Sequence, residues 1–406
     1  MAMNVEARDV VVRIAARGDG VSASGKHVPQ AAPGDWLDGE GTLHHGSHHQ
    51  AAPCAHYGRC GGCQLQHADD AALAAYLVSR VETALDAQGL KAREIREPHL
   101  SPPGSRRRVS LSAQRIGGSL ALGFNEAGSH RLIDLKQCLV MRSELLACLA
   151  PLRALLRGLM KPRSAAAKVQ LTLVDQGVDV LLSGVEAWGL EAHDAIMAFC
   201  EGRGIARLAI DNGDGPEDRW VPQPVTATFG GVAVPLPHGA FLQATVDGEA
   251  QLIAAVREAA GGAAHIADLF SGVGTFAFPL SVAAKVHAVE AARDVVMALQ
   301  LAANRAVRPI TAEHRDLYRR PLTPTELAAF DAVVLDPPRA GAEAQMRELA
   351  ASIVPIIAYV SCNPASFARD AAVLVTGGYT LDWVQPIGQF RWSTHMELAA
   401  RFVRYI

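Results

Sequence analysis

The second half of the chain alternates short apolar runs with longer amphipathic segments. From Phe241 onward, apolar runs predict strands at about 265–269, 286–289, 332–335 and 353–360, and the segments between them are rich in alanine and leucine. Strands that alternate with helices are typical of right-handed crossovers in a parallel, doubly wound sheet. The pattern therefore predicts a Rossmann-like α/β domain over residues 236–406.

The first half has a different pattern. Residues 10–41 combine short alternating stretches with glycine turns, which predicts a small β-barrel of a kind that often binds oligonucleotides. Residues 42–52 contain four histidines and are predicted to be a polar linker, with adventitious metal binding as the alternative. Helical spacing at 69–90, hairpin patterns within 106–140 and 165–235, and a helix at about 190–202 predict an α+β region. The expected domains are thus 1–50, 51–235 and 236–406.

Composition narrows the class of protein. Half of the 406 residues are hydrophobic and 19% are charged, which argues against a mainly disordered chain. Residues 1–12 do not resemble a signal peptide, and no apolar segment reaches the roughly 18 residues that a membrane helix needs. We expect a cytoplasmic protein without membrane contact. The formal net charge of -3 neither indicates nor excludes nucleic-acid binding, because a local basic patch such as residues 106–108 can serve.

Three closely spaced cysteines indicate a metal site. The chain has seven cysteines, an odd number that argues against a disulfide framework. Cys54, Cys60 and Cys63 surround a Gly-Gly pair, and Cys138 is the nearest candidate for a fourth ligand. Four thiolates hold either zinc or an iron–sulfur cluster, and spacing alone does not separate the two. The remaining alternative is a set of unrelated buried thiols, which is the role expected of Cys148 and Cys200.

A glycine-rich turn follows the strand predicted at 265–269. It begins at Asp268 and carries Gly272, so a ligand can approach its backbone closely. Glu290 lies 22 residues later, at the distance where an acid commonly binds ribose hydroxyls, and Asp316 lies near the predicted end of a third strand, where it can contact an adenine amine. The turn departs from Gly-x-Gly-x-x-Gly, which favours S-adenosylmethionine over a dinucleotide.

A cysteine follows the strand predicted at 353–360. Cys362 stands in Ser-Cys-Asn-Pro, where it is either a nucleophile or a space-filling thiol, and Asp336 begins Asp-Pro-Pro-Arg after the preceding strand. Uracil C5 is a poor nucleophile until a thiolate adds at C6, and the C5 proton must afterwards be removed by a base. Glu397 is the candidate base, because a carboxylate in so apolar a stretch is costly unless it works or is paired. His395 is the competing candidate.

Together these motifs resemble the RNA (uracil-5-)-methyltransferases, and most closely their iron–sulfur branch that modifies 23S rRNA. The resemblance rests on Cys-x5-Cys-x2-Cys at 54–63, Phe-x-Gln at 241–243, the turn at 268–274, Asp-Pro-Pro-Arg at 336–339, Ser-Cys-Asn-Pro at 361–364, and Glu397. Ser271 and Thr245 depart from it, since the family usually has cysteine and often has asparagine there.

The resemblance implies an architecture and a set of roles. It implies an amino-terminal TRAM-type barrel, a central domain with a [4Fe–4S] cluster and a Rossmann-like catalytic domain that uses S-adenosylmethionine. The implied roles are nucleophile for Cys362, base for Glu397, cluster ligands for Cys54, Cys60, Cys63 and Cys138, and cofactor or uracil contacts for Gln243, Asp268, Phe270, Gly272, Glu290, Asp316 and Asp336. A monomer that methylates a uridine in 23S rRNA is the expected protein.

Two other classes compete with this interpretation. The first is another base methyltransferase. Amino-group methyltransferases also use an Asp/Asn-Pro-Pro turn, but they need no cysteine. Cytosine-5 methyltransferases commonly place their cysteine beside the proline, where this chain has Arg339. The other class is a non-catalytic RNA-binding or redox-sensing protein. A descendant without activity is expected to lose Cys362 or Glu397, and both are present.

Overall fold

The amino-terminal residues form a small curled antiparallel sheet. The computed structural model describes residues 8–160 and 166–405, so the predicted ranges that include 1–7, 161–165 and 406 lie partly outside the described residues. The sheet has the spatial order β3-β2-β1-β4-β5. Its strands are β1 (Asp9–Ile14), β2 (Gly20–Ser22), β3 (His27–Val28), β4 (Trp36–Leu37) and β5 (Leu43–His44).

Most of residues 42–52 form a loop, as predicted, but the start of the segment belongs to the amino-terminal sheet. Strand β5 lies within this segment, and its neighbours are held by histidine–aspartate pairs. His49 Nδ1 lies 2.7 Å from an oxygen of the buried Asp35, and His48 Nδ1 lies 2.9 Å from Asp69. The composition of the segment could not reveal these pairs, because the carboxylates that anchor the histidines come from other parts of the chain.

A helix connects this sheet to the rest of the molecule. Helix α1 (Asp70–Asp86) begins after Asp69, whose side chain accepts a hydrogen bond from Ala72 N at 2.8 Å. Its apolar face, including Leu73 and Val81, belongs to the same core as the carboxyl-terminal sheet. Two short strands follow, β6 (Glu94–Ile95) and β7 (His99–Leu100).

The central region is built on a mixed sheet of spatial order β13-β12-β11-β10-β8-β9, covered by two helices. The predicted core positions of Cys148 and Cys200 are confirmed, since they are 5% and 2% exposed. In chain order the elements are β8 (Arg108–Ile116), β9 (Ser119–Gly123), α2 (Ser143–Leu159), β10 (Ala167–Val174), β11 (Gly177–Ser183), α3 (Leu190–Cys200), β12 (Ile205–Asp211) and β13 (Pro216–Trp220).

A hairpin leads into the carboxyl-terminal α/β region. It consists of β14 (Thr226–Phe229) and β15 (Val232–Pro235). Thr245, the residue that departs from the family pattern, caps the next helix, because its hydroxyl accepts from Gly248 N at 3.1 Å. The remaining elements are α4 (Val246–Ala260), β16 (His265–Leu269), α5 (Ala277–Leu280), β17 (Lys285–Glu290), α6 (Arg293–Arg305), β18 (Ile310–His314), α7 (Pro324–Leu327), β19 (Ala332–Leu335), α8 (Glu343–Ala350), β20 (Ile356–Ser361), α9 (Pro364–Thr376), β21 (Thr380–Gly388) and β22 (Glu397–Val403).

The large sheet is mixed rather than wholly parallel. Its order is β18-β17-β16-β19-β20-β22-β21-β6, with β7 also beside β21. The strands from β18 to β20 are parallel, as predicted, but β22 runs antiparallel between β20 and β21. The prediction missed β21 and the reversal, because a hairpin at the end of the chain inserts β22 into the sheet. The strand order reverses between β16 and β19, which is where ligands bind in sheets of this type.

The two faces of this sheet are covered by separate apolar clusters, one with α1, α8 and α9 and one with α4 and α6. In the described residues, no helix has both the length and the apolarity to cross a membrane.

Candidate active site

The turn after β16 is held by the carboxylate at the end of β17. Gly272 N donates to Glu290 Oε2 at 3.1 Å, while Glu290 Oε1 accepts from Ala291 N and Ala292 N at 2.7 and 2.9 Å. Phe270 has φ +60° and Gly272 φ +53°, so both residues adopt the left-handed conformation that this tight turn requires. Glu290 keeps unshared lone pairs and faces the open side of the turn.

Aromatic rings and a carboxylate form the adjoining wall. The rings of Phe270 and Tyr318 lie 5.5 Å apart at 58°, and the Tyr318 hydroxyl donates to Gly341 O at 3.0 Å. Asp316 Oδ1 accepts from Tyr318 N at 2.9 Å, which fixes the carboxylate at the edge of this wall. Flat apolar surfaces beside an acceptor suit a purine ring.

Asp336 is positioned by two glutamines. Gln243 Nε2 donates to Asp336 Oδ2 at 3.2 Å, and Gln389 Nε2 donates to Gln243 Oε1 at 2.8 Å. Burial raises the pKa of Asp336 to about 7. The carboxyl group is therefore able to donate or accept a hydrogen bond near neutral pH.

Cys362 lies in the turn between β20 and α9. Asn363 caps α9 by accepting from Ala365 N at 3.1 Å, and its amide donates to Arg339 O at 3.1 Å, which joins this turn to the one after β19. The thiol is partly exposed. Burial, with a smaller contribution from Glu397, raises the pKa of Cys362 to about 11, while Arg339 opposes this shift. At neutral pH the free protein thus holds Cys362 as a thiol.

Glu397 is the first residue of β22 and is only 3% exposed. Burial, assisted by the charge of Asp336, raises its pKa well above the usual range, and Gln389 and Arg108 act in the opposite direction. His395 lies nearby, with Nδ1 2.6 Å from Arg339 Nη2, so that this nitrogen accepts and carries no proton. A hydrogen-bonded, partly exposed histidine is less suited than Glu397 to be the base.

The predicted residues surround one cavity of about 590 Å³, a size suited to a small-molecule ligand. The structure brings together Gln243, Phe270, Gly272, Glu290, Asp316, Asp336, Cys362 and Glu397. Asp268 does not line the cavity. Its carboxyl group is fully buried, neither oxygen has a partner at hydrogen-bond distance among the described residues, and burial raises its pKa well above the usual range, opposed by the Ala277 backbone.

The four predicted cluster cysteines also meet. Cys54, Cys60, Cys63 and Cys138 line one small cavity, and none of the described residues in its wall is a carboxylate. Burial raises the pKa of each of Cys60, Cys63 and Cys138, that of Cys63 to about 12. Among the described residues, however, no three His, Cys, Asp or Glu side chains form a group that holds a single metal ion.

Comparison with known proteins identifies the family. Residues 235–404 match the model of the tRNA (uracil-5-)-methyltransferases. A protein of Zymomonas mobilis subsp. mobilis, described as an RNA methyltransferase, is 46% identical over 97% of this chain and 99% of its own. The 23S rRNA (uracil(1939)-C(5))-methyltransferase of Chromohalobacter salexigens is 35% identical over 85% of this chain and 74% of its own. The chain belongs to the RNA (uracil-5-)-methyltransferase family.

The fold agrees with this family. The crystal structure of the Pyrococcus abyssi tRNA (uracil-54, C5)-methyltransferase in complex with S-adenosyl-L-homocysteine superposes with a TM-score of 0.77, covering 98% of this chain and 99% of that one at 21% identity. The enzyme class predicted from the sequence, an S-adenosylmethionine-dependent RNA (uracil-5-)-methyltransferase, is confirmed at the level of the family. The individual site residues and the cluster remain predictions.

The sequence pattern did not reveal two residues that shape the site of this RNA (uracil-5-)-methyltransferase, Gln389 and Tyr318. Gln389 was missed although it orients Gln243, and Tyr318 was missed although it forms the wall beside Phe270. Gln389 is a glutamine directly after the apolar run of β21, and this position could have drawn attention to it. Nothing in the local pattern indicated Tyr318, which follows Asp316 in an irregular segment.

Proposed function

We propose that this protein methylates C5 of a uridine in RNA, with Cys362 as nucleophile and Glu397 as base. The observation that carries the proposal is the pairing of β20 with β22. Ser361, the last residue of β20, is opposite Leu398, so Cys362 directly after β20 lies beside Glu397, the first residue of β22, and both line the same cavity.

The cavity has the chemistry to hold S-adenosylmethionine. Glu290 suits the ribose hydroxyls, Asp316 the adenine amine, and Phe270 with Tyr318 the purine faces. The Ser271 hydroxyl is buried in the wall and has no hydrogen-bond partner in the part of the chain that the structure describes, which leaves a polar atom available to a ligand. When bound, S-adenosylmethionine supplies an electrophilic methyl group.

The protein residues prepare the base for that methyl group. Cys362 loses its proton to water and its sulfur adds to uracil C6, which moves electron density to C5. Gln243 and Asp336 lie beside this position and are able to hydrogen-bond the polar edge of the ring. Once C5 carries the methyl group, Glu397 removes the C5 proton, the C6–sulfur bond breaks and the thiolate leaves.

Both reacting groups are held in a form that needs a ligand to activate it. Cys362 is a thiol at neutral pH in the free protein, and burial favours the protonated form of Glu397. Arg339 lies in the same wall and favours the thiolate. A uracil that fills the cavity would bring its own dipoles and displace water, so we expect the reactive forms to develop in the complex.

The proposed substrate is 23S rRNA. Its support is the relative that methylates a uridine in this RNA. Transfer RNA is the second candidate, which the family model and the archaeal structure favour by name.

We propose further that Cys54, Cys60, Cys63 and Cys138 bind a [4Fe–4S] cluster. An all-sulfur donor set suits zinc or iron–sulfur centres. The four cysteines line a shared cavity, and the resemblance to the iron–sulfur branch of the family is what favours the cluster over zinc.

A deletion strain tests the function. Mapping 5-methyluridine in ribosomal and transfer RNA from the wild-type and deletion strains should reveal one or more uridines in 23S rRNA that lose the methyl group. Reintroduction of the wild-type protein, but not of Cys362→Ala, should restore it. Loss confined to transfer RNA would replace the substrate, and an unchanged methylation pattern in both RNAs would refute the function.

A further inference from the structure

A second cavity opens on the other side of Cys362. It measures about 240 Å³ and shares Arg339, Cys362, His395 and Met396 with the larger cavity, while Arg80 from helix α1 lines only the smaller one. The carboxylates of the site, including Glu397, line the larger cavity alone. The nucleophile therefore lies between a cavity that contains acids and one that contains only basic and neutral side chains.

The arginines of the smaller cavity lack acidic partners. Neither Arg80 nor Arg339 has a carboxylate within salt-bridge distance in the part of the chain that the structure describes. Arg80 Nη1 donates to Ala16 O and to the Tyr76 hydroxyl at 3.2 and 2.9 Å. Its Nε and Nη2 make no hydrogen bond to any described residue, so one edge of the guanidinium is free.

A third arginine adds to the positive charge. After burial, the charges of Arg339, Arg106 and Arg80 each lower the pKa of His395, so all three act on its ring, although Arg106 lines the cysteine cavity rather than this one. Cations without an acidic partner at salt-bridge distance repel one another, which is costly unless an anion lies between them. Such a concentration of charge indicates that an anion binds there.

The reaction itself supplies an anion at this place. A uridine whose base enters the larger cavity leaves its ribose and phosphates at the mouth, within reach of the residues that border Cys362. Arginine binds phosphate through two parallel N–H donors, and the free edge of Arg80 offers such a pair.

We propose that the smaller cavity binds a phosphodiester group adjacent to the target uridine, and that Arg80 is its main ligand. The proposal rests on the proposed function, since it requires an RNA substrate whose uridine reaches Cys362. Arg80 is a binding residue in this account, and it contributes to the placement of the nucleotide rather than to the chemistry.

Salt dependence of RNA binding gives the first test. Binding of an unmodified 23S rRNA transcript is measured between about 50 and 200 mM salt for the wild-type, Arg80→Gln and Arg305→Gln proteins. Arg305 is a matched control, because it is an exposed arginine at the far end of helix α6. Arg80→Gln should weaken binding about tenfold and reduce the slope of log K against log salt by about 0.7–0.9, as expected for one lost phosphate contact. An unchanged slope in Arg80→Gln would overturn the proposal.

A neutral linkage in the RNA gives a test that does not depend on how the variant folds. Oligoribonucleotides that contain the mapped uridine carry a methylphosphonate at one linkage at a time. A methylphosphonate at one of the linkages beside the uridine should raise KM about tenfold for the wild-type protein and leave KM unchanged for Arg80→Gln. Methylphosphonates at more distant linkages should affect both proteins equally. Equal sensitivity of the two proteins at every linkage would refute the role of Arg80.

The two proposals fail in different ways. If the wild-type protein methylates no RNA, the proposed function is wrong. If it methylates RNA but Arg80→Gln matches it in KM and salt slope, only the phosphate site is wrong. S-adenosylmethionine affinity should be the same in all three proteins and verifies that the larger cavity is intact.

Discussion

Gln389 determines which way the side-chain amide of Gln243 points. Gln389 Nε2 donates to Gln243 Oε1 at 2.8 Å, and Gln389 Oε1 accepts from Ala244 N at 2.9 Å. The Gln243 amide nitrogen is thereby directed at Asp336, 3.2 Å away. Gln389, directly after strand β21, thus holds the Phe-x-Gln segment in place, and Gln243 in turn hydrogen-bonds the Asp336 carboxyl group in the wall of the cavity.

Loss of this contact should reduce the rate of methylation. Gln389→Leu leaves Gln243 Oε1 and Ala244 N without partners, which costs about 1–3 kcal/mol and releases the Gln243 amide. We expect the rate constant of methylation, measured in single-turnover assays, to fall about ten- to a hundredfold, with a small loss of Tm. Gln385→Leu, within strand β21, is the control and should retain activity. A Gln389→Leu protein within twofold of the wild type would show that Gln243 is oriented by other contacts.

Cys362 should form a covalent bond to RNA that can be trapped. Fluorine at C5 of the target uridine blocks the final elimination, so 5-fluorouridine RNA should give a denaturation-resistant adduct with the wild-type protein. Cys362→Ala should form no adduct and no methylated product. Cys200→Ala alters a buried thiol far from the cavity and should behave as wild type. Methylation by Cys362→Ala would overturn the mechanism.

Glu397→Gln should separate methyl transfer from product release. The amide cannot remove the C5 proton, so the covalent complex should accumulate on ordinary RNA and resolve about 10²–10⁴-fold more slowly. The measurement is the fraction of protein bound to labelled RNA over time in denaturing gels. Glu343→Gln, at an exposed helix position, is the control. Unchanged turnover in Glu397→Gln would assign the base to His395 instead.

The contribution of Asp336 to the stability of the free protein should decrease as pH rises from about 4 to 7. Burial raises the pKa of Asp336 from an ordinary value of 3.8 to about 7, so across this range the folded state retains a proton that the unfolded chain has released. Stability from this group is full below about pH 4 and is lost as pH rises through 7, by about 2–4 kcal/mol. Thermal unfolding of wild type and Asp336→Asn at pH 5 and 8 measures the difference. We expect a smaller pH-dependent decrease in Tm for the variant, and equal decreases would contradict the shifted pKa.

Iron content distinguishes the two candidates for the cysteine site. Anaerobically purified protein should be brown and contain about four iron atoms per chain, while Cys63→Ala should be colourless or nearly so. Cys148→Ala changes a thiol in the central core and should retain the iron. A colourless wild-type preparation with one zinc ion would refute the iron–sulfur proposal.

Local patterns were sufficient for the elements that carry the chemistry. Strands β16 and β19 were predicted to the residue, because each is a short apolar run closed by a polar turn. The placement of Glu290, Asp336 and Cys362 at strand ends followed directly, since parallel strands present their carboxyl ends at one edge. The antiparallel insertion of β22 was missed, because which neighbour a strand chooses depends on distant segments.

Residue types at fixed spacings along the chain were enough to predict the family, the candidate nucleophile and base, and the α/β alternation. The folded structure was needed to show that Cys362 and Glu397 lie side by side, that Gln389 orients Gln243, and that Arg80 of helix α1 and Cys362 line the same small cavity. Each of these relationships joins segments far apart in the chain. They are set by sheet register and helix packing, and the local sequence pattern around one residue does not identify the distant residue that it contacts.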